Sequence, residues 1–414
     1  MKKILVLSWR NEIHDIIRES GNTALYVLDK KYLYTDFERC VNECEDNKVP
    51  YIVVENLSDI NTVYSLISYV KSKGDFDDVL SCDETTQFAA SVIAKDVFND
   101  HTTANIYASL RDKRLMKVEL MSAVSMARWF SVIDYCTNDR IDALPEGFTF
   151  PLVLKPINRF LSAETYKIND TEELNIALAK NRLNLCDFIV EEFIKGDEYE
   201  ADVVWSEGKV RHIYIAKYQV TRLYGHNNRV PRITTFLPYT GHEDLYARLE
   251  KECVAVASAV NISNGVTHAE FFLDGNRTIL GEIAFRHPGG AGNKTLTMAT
   301  GEGLLEMGLR SRLNWHKGES EDKYIDGFYI GNIDARPHAS GVVQGVTPKE
   351  ELLALPGVLD VVYRIRMNHF IEAYGRESWC ALVVIKSDSL EDLLSKLQLV
   401  QTHFKVKLIE EENV

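Results

Sequence analysis

Glu270 and Glu282 stand twelve residues apart in otherwise apolar company, HAEFFLD (268–274) and GEIAFR (281–286), and Arg286 closes the second run. The Asp274-Gly275-Asn276 stretch between them is a turn signal, so the segment reads as a β-hairpin. Side chains alternate along a strand, which groups His268, Glu270 and Phe272 on one face and Glu282, Ala284 and Arg286 on one face of the next strand. A three-residue turn sets Glu282 opposite His268 and Glu270 opposite Leu280, leaving the glutamates diagonal neighbours roughly 7 Å apart. A two-residue turn sends them to opposite faces. Spacing allows both registers. Converging, half-buried carboxylates repel, so one takes a proton or a cation sits between them. Hard divalent ions such as Mg2+ take carboxylate oxygens and complete their shell with phosphate, so this pattern suits a metal–nucleotide site. An exposed hairpin with a solvated Glu–Arg face is the competing reading.

Three lysines precede the pair. Lys113 follows an aspartate at the head of a helical segment, Lys155 ends the run PLVLK before a proline, and Lys217 ends IAK. Singly each reads as a surface lysine; together they form a cation set for a triphosphate. After Arg286, HPGGAGNKT (287–295) runs into a helix. Free N–H groups at a helix start suit a substrate carboxylate, which makes His287, Gly289, Gly290 and Asn293 candidate substrate contacts. A glycine-rich packing turn is the alternative, and the spacing of a P-loop is absent. His268 is open to three roles (orienting Glu282, touching substrate, acting as a base) besides that of a satisfied core histidine.

The elements that must carry these residues fall into four stretches. Residues 1–105 alternate short apolar runs with helical segments, the pattern of an open parallel α/β sheet, without G-x-G-x-x-G after the first strand. Residues 106–200 hold strands around PLVLKP and DFIVEEFI, and 201–320 hold strands, a helix and the hairpin. The basic segment QVTRLYGHNNRVPRIT (219–234) has weak periodicity and reads as a mobile loop, or as a disordered surface excursion. Residues 321–414 read β-α-β-β-α-β, a separate split-βαβ subdomain. A net charge of -14 opposes general nucleic-acid binding. The seven cysteines show no zinc spacing, the apolar start is too short for a signal peptide, and no run spans a membrane, so the reading is a cytoplasmic protein with no membrane and no nucleic-acid partner.

RDK (111–113), VLKP (153–156), EEFIKGDE (191–198), AKY (216–218), HAEFFLD and GEIAFR come in the order that resembles the ATP-grasp superfamily of carboxylate–amine ligases. The tail, with SGVVQGV and LPGVLDVVYRI, is similar to that of the L-amino acid ligases of peptide-antibiotic pathways such as bacilysin and the dapdiamides. The resemblance implies an ATP-grasp fold of α/β and α+β parts. ATP and Mg2+ are the implied cofactors, with Mn2+ as an alternative ion. The implied substrates are small molecules, amino acids or acyl amino acids, joined through an acyl phosphate, and a homodimer is left open. Residue by residue, it implies that Lys113 and Lys155 bind ATP phosphates and that Glu191, Glu192 and Ile194 line adenine. Glu198 would accept from ribose, Lys217 would reach the terminal phosphate, and Glu270 and Glu282 would hold the metal. Arg286 would face the reacting centre. Two positions depart from the family: Ala284 replaces a neutral asparagine ligand, and INRFLSAETYKI after Lys155 has no glycine. Ser162 and Arg159 stand in for that loop's phosphate cover. The rivals are another ATP-grasp ligase, of purine-pathway or carboxylase type, and an inactive nucleotide-binding module.

Overall fold

The computed structural model describes residues 1–409 apart from 34–35, 160–163, 229, 317–320 and 374–379, with backbone only at 183, 226 and 227. Four strands, β1 (Lys3–Val6), β2 (Thr23–Asp29), β3 (Tyr51–Val54) and β4 (Asp78–Leu80), form a parallel sheet in the order β3-β2-β1-β4. The runs Ile4–Val6 and Tyr26–Leu28 are buried, as parallel strands covered on both faces require. Chain leaving the carboxyl ends of β1 and β4 carries Arg10, Asp83 and Glu84, at the edge where open α/β sheets bind ligands.

A second, antiparallel sheet follows in the order β5-β8-β6-β7: β5 (Trp129–Ser131), β6 (Leu152–Pro156), β7 (Tyr166–Ile168) and β8 (Phe188–Glu192). It places Lys155 on β6 beside Glu191 on β8. The helix Lys113–Leu120 that leads to it starts where Asp112 accepts from the Arg114 amide at 2.8 Å.

The third sheet has eight antiparallel strands in the order β13-β12-β9-β10-β11-β14-β18-β16. Its strands are β9 (Asp197–Ser206), β10 (Lys209–Tyr218), β11 (Ile233–Phe236), β12 (Gly265–Asp274), β13 (Arg277–Ala284), β14 (Tyr329–Ala335), β16 (Val358–Tyr363) and β18 (Ala381–Ser387). The segment read as a loop at 219–234 instead contains the helix Arg222–Asn227 and the start of β11. The tail keeps the six expected elements, gains two further strands, and closes as two sheets. β15 (Gly341–Val346) pairs with β17 (Phe370–Ile371) and β19 (Val406–Ile409), while β16 and β18 extend the large sheet through β14. The reason is β14, a buried strand with no expectation attached to it, which takes the place beside β18. Gly331 lets the helix Leu390–His403 lie on it, because a Cβ there would meet the Thr234 carbonyl at 2.8 Å and Leu393 at 3.3 Å. Among the described residues no helix is long and apolar enough to cross a membrane.

The hairpin resolves the register question by a route the spacing did not offer. Asp274 pairs with Arg277, so the turn has two residues, Gly275 at φ +57° and Asn276. Simple alternation from that turn would separate the glutamates. A β-bulge between Glu270 and Phe271 intervenes: Phe271 faces Leu280, Glu270 faces Glu282, and Gly281 is the extra residue. The glutamates are therefore direct cross-strand partners on one face, not diagonal ones. A Cβ on Gly281 would lie 2.9 Å from the Phe272 ring and 3.4 Å from the Glu270 carbonyl. Gly281→Ala is expected to cost about 1–3 kcal/mol of stability by overpacking and to weaken any binding of a metal–nucleotide that depends on the paired glutamates. Urea unfolding and titration calorimetry check this, and an unchanged midpoint with unchanged affinity would show that the bulge tolerates a side chain.

Candidate active site

The ladders of β9, β12 and β13 set five carboxylates on one sheet face. Glu282, Glu270 and Glu200 form one cross-strand row, with Glu198 opposite Phe272 on one side and Asp202 opposite His268 on the other. Glu198, Glu200 and Asp202 are almost wholly buried. Burial, reinforced by Glu270, pushes the Glu198 carboxyl up to about 8. Burial, reinforced by Asp202, pushes Glu200 up to about 7. Burial acts on Glu270 in the same direction, but the hydrogen bond and charge of His268 prevail and hold it at about 2. Tyr218 ties the row together, its hydroxyl lying 2.6 Å from a Glu200 oxygen and 2.9 Å from a Glu270 oxygen, with a single phenolic proton to give.

His268 bonds Asp202 at 2.8 Å and lies 3.7 Å from Glu270. Burial works against its charge, but Asp202 wins and raises the imidazole to about 10. The expected roles of orienting Glu282 or acting as a base are both corrected. The bulge leaves His268 opposite Ala284, next to Glu270, and the ring is a cation near neutral pH.

Cations reach this face from every side. Lys113 pairs with Glu282 at 3.0 Å and donates to the Arg159 carbonyl at 3.0 Å. Lys155 pairs with Glu191 at 2.8 Å, and buried Lys117 pairs with the other oxygen of Glu191 at 2.9 Å. Burial opposes the charges of Lys117, Lys155 and Glu191. The two ammoniums still hold Glu191 below the usual range, Lys155 is raised by Glu191, and Lys117 is lowered because burial dominates there. Glu192 binds Arg128 at 2.9 Å and stays at the cavity rim with Ile194. The Arg222 guanidinium carbon sits over the Tyr218 ring, 3.5 Å from its centroid, and the Arg222 amide donates to Glu198 at 2.6 Å. Arg286 is partly buried, and its Nε and Nη2 donate to one oxygen of Glu84 at 3.1 and 2.6 Å while Nη1 donates to the His287 carbonyl at 2.7 Å.

A cavity of about 940 Å3 joins these groups, and Lys113, Lys155, Glu198, Glu270, Glu282 and Arg286 all line it. Its volume suits a nucleotide with a second ligand. Glu191, Glu192, Ile194, His268, His287, Gly289, Gly290 and Asn293 also line it. Lys217 does not. It pairs across the ladder with Tyr199, on the opposite face from Glu198 and Glu200, and its ammonium binds Asp197 at 2.6 Å. Its expected reach to the terminal phosphate is thus corrected: Tyr218, the next residue, takes the cavity face, and Arg222 brings the cation. Asn293 spends its side-chain oxygen on the Leu305 amide at 2.9 Å, a helix cap rather than a free substrate contact. His287 is driven down to about 3 by burial and by Arg10, so it is a neutral imidazole beside the helix start at Gly292. Ser162 lies outside the described residues.

The donor set fits a hard cation. Among the described residues, Glu200 Oε1 and Asp202 Oδ2 are buried without hydrogen-bond partners, and carboxylate oxygens dominate the face. No group of three His, Cys, Asp or Glu side chains among the described residues is arranged to enclose a metal alone. A two-carboxylate site completed by phosphate and water matches Mg2+. Sequence reasoning missed Glu200, Asp202, Tyr218, Arg222 and Glu84. The alternation of acids in DEYEAD (197–202) was the available signal for the first two. Nothing local marks Glu84.

Residues 148–294 match the family described as ATP-grasp domain. An L-arginine-specific L-amino acid ligase from Bacillus subtilis is 23% identical over 319 residues, covering 75% of this chain and 74% of that protein. An L-amino acid ligase structure from Bacillus licheniformis aligns over 99% of both chains at 16% identity with a TM-score of 0.76. N5-carboxyaminoimidazole ribonucleotide synthetase from Thermotoga maritima aligns over 99% of this chain and 100% of its own at 16% identity, TM-score 0.68. The chain has the ATP-grasp fold.

The shifted carboxylates and histidine carry a pH signature. Glu198 and Glu200 keep protons up to about 8 and about 7, whereas the unfolded chain releases them near 4.5, so stability falls as pH rises through that window. His268 adds stability that is complete below 6.5 and is lost as pH rises through about 10. Glu270 adds stability above 4.5 that is lost as pH falls through about 2. The ligand-free protein should melt lower at about pH 8.5 than at about pH 5.5, and Mg2+ should raise the melting temperature more at the higher pH. Equal Mg2+ effects at both values would contradict the cation site.

Proposed function

We propose that this ATP-grasp chain is an ATP-dependent carboxylate–amine ligase that joins an amino acid or acyl amino acid to the amine of a second amino acid, by way of an acyl phosphate. The observation that carries the reading is Arg286. It is a partly buried guanidinium clamped along one edge, lining the same cavity as the carboxylate row and the lysines. Its three bonds leave two of its five N–H groups uncommitted among the described residues. The amino acid ligases among the relatives support the same reading.

Lys113 and Lys155 bind phosphate oxygens, and the β8 edge with Ile194 receives the base. Glu198, which lines the cavity, meets the ribose hydroxyls. Glu270 and Glu282 would hold Mg2+, which when bound neutralises phosphate charge and polarises the terminal phosphoryl group. A substrate carboxylate oxygen attacks the terminal phosphorus. An O–P bond forms, the bond to the bridging oxygen breaks, and ADP leaves. The acyl phosphate now has a good leaving group. The amine nitrogen attacks the acyl carbon, and the free N–H groups of Arg286 donate to the oxyanion that develops. Phosphate departs with its electron pair and takes up the proton that the nitrogen gives up. His268 is already charged and does not take that proton; it steadies Glu270. The product is a dipeptide-type amide, and the setting this reading extends to is peptide natural-product assembly in the cytoplasm, in keeping with seven free cysteines.

Phosphate release from ATP should rise only with a matching pair of amino acids, and mass spectrometry should find the condensed product. Dependence on bicarbonate instead would move the chain toward its carboxylating neighbours. Glu282→Ala is expected to abolish turnover. Arg286→Gln should lower kcat by about 100-fold to 1,000-fold, the cost of an oxyanion donor, with little change in ATP affinity. Matching losses in kcat and ATP affinity would contradict the transition-state role of Arg286.

A further inference from the structure

Glu84 belongs to the parallel-sheet unit, 202 residues before Arg286 in sequence. Its side chain is largely enclosed, and its two oxygens are divided. Oε2 accepts from both Nε and Nη2 of Arg286, at 3.1 and 2.6 Å, while Oε1 accepts from Arg111 Nη1 at 3.0 Å. Arg111 also donates to the Asn158 carbonyl, next to the Arg159 carbonyl that receives Lys113. Burial opposes ionisation of Glu84, but Arg286, then Arg111 and Lys113, hold it below the usual carboxylate range. One carboxylate therefore stands among three cations and sets the direction of two of them.

We propose that Glu84 is a positioning residue for the amide-forming step, and this inference rests on the ligase reading. With Arg111 holding Oε1, the carboxylate cannot swing, so Oε2 meets the Nε edge of Arg286 in one orientation. The Nη1 bond to the His287 carbonyl adds a third fixed point. The guanidinium plane is then set by three bonds, and its remaining N–H groups point where an oxyanion would form. Without the Glu84 charge, Arg286, Arg111 and Lys113 repel and the guanidinium turns away. Phosphoryl transfer depends on Lys113, Lys155 and the carboxylate row and continues. The amine step slows, and water competes for the acyl phosphate.

The test is a double-mutant cycle. Glu84→Gln should lower kcat for amide formation by about 100-fold, the scale of losing one oxyanion donor, leave the KM for ATP within about threefold, and raise phosphate released per amide above one. In the Arg286→Gln background the same change should cost less than about twofold, because residues acting as a unit are not additive. If Glu84→Gln fails to fold, Glu84→Asp carries the test: it keeps the charge, cannot reach both arginines, and should show the same kcat-only loss. An equal cost with and without Arg286, or proportional losses of phosphate and amide, overturns the positioning role. Near-normal ligation by Glu84→Gln overturns it as well. Absence of amino-acid-dependent phosphate release from the unsubstituted protein would instead count against the ligase reading itself.

Discussion

Like charges crowded on one sheet face must be balanced before anything else in this molecule can be stable. Two carboxylates 4 Å apart at an effective dielectric of about 20 repel by about 4 kcal/mol, and a domain holds only about 5–15 kcal/mol in reserve. Glu198, Glu200, Asp202, Glu270 and Glu282 therefore cannot all be charged without help. The fold answers in three ways. Glu198 and Glu200 hold protons to unusually high pH, Asp202 and Glu270 share the charge of His268, and Glu282 takes Lys113 from a different unit. The association of the units follows partly from this balance.

The opposite wall of the cavity has the reverse problem. Lys117 and Lys155 converge on the single carboxylate of Glu191, which leaves the small sheet with an excess of positive charge at its inner edge. A ligand rich in negative charge, carrying a divalent ion toward the acidic sheet, satisfies both walls at once. A neutral ligand of the same size satisfies neither. This complementarity makes a metal–triphosphate the natural occupant, and it arises from backbone register as much as from residue choice.

Register also separates what was legible in the sequence from what was not. Period-two alternation exposed the acidic hairpin, and the aspartate before Lys113 marked a helix start; both stand in the structure. Lys217 was legible as a cation at a strand end, but its face depends on pairing with Tyr199, a partner eighteen residues away whose register no local pattern encodes. One position decides whether a strand residue meets a ligand or the far side. The bulge was half-legible, since a glycine inside a strand is a known mark of one, yet its consequence required knowing the turn length too. Arg222 looked like part of a loop because its burial comes from Tyr218 and Glu198, not from any apolar periodicity. Glu84 lay beyond reach because its partners, Arg111 and Arg286, come from two other units.

Ala284 shows how a departure can be local compensation. The position supplies no donor atom, and it lies directly across the ladder from His268. A side chain the size of asparagine would reach over the imidazole, which is held to Asp202 at 2.8 Å and faces Glu270 at 3.7 Å. With alanine, that row keeps a protonated histidine instead of a neutral oxygen ligand. The balance of the face changes in kind: a fixed cation of the chain, buried and paired, does part of the neutralising that ligand-borne ions do where the oxygen is present. Such a cation cannot be diluted away with the ligand, so the row holds its geometry in the empty state and Glu270 remains ionised and aimed before any nucleotide arrives.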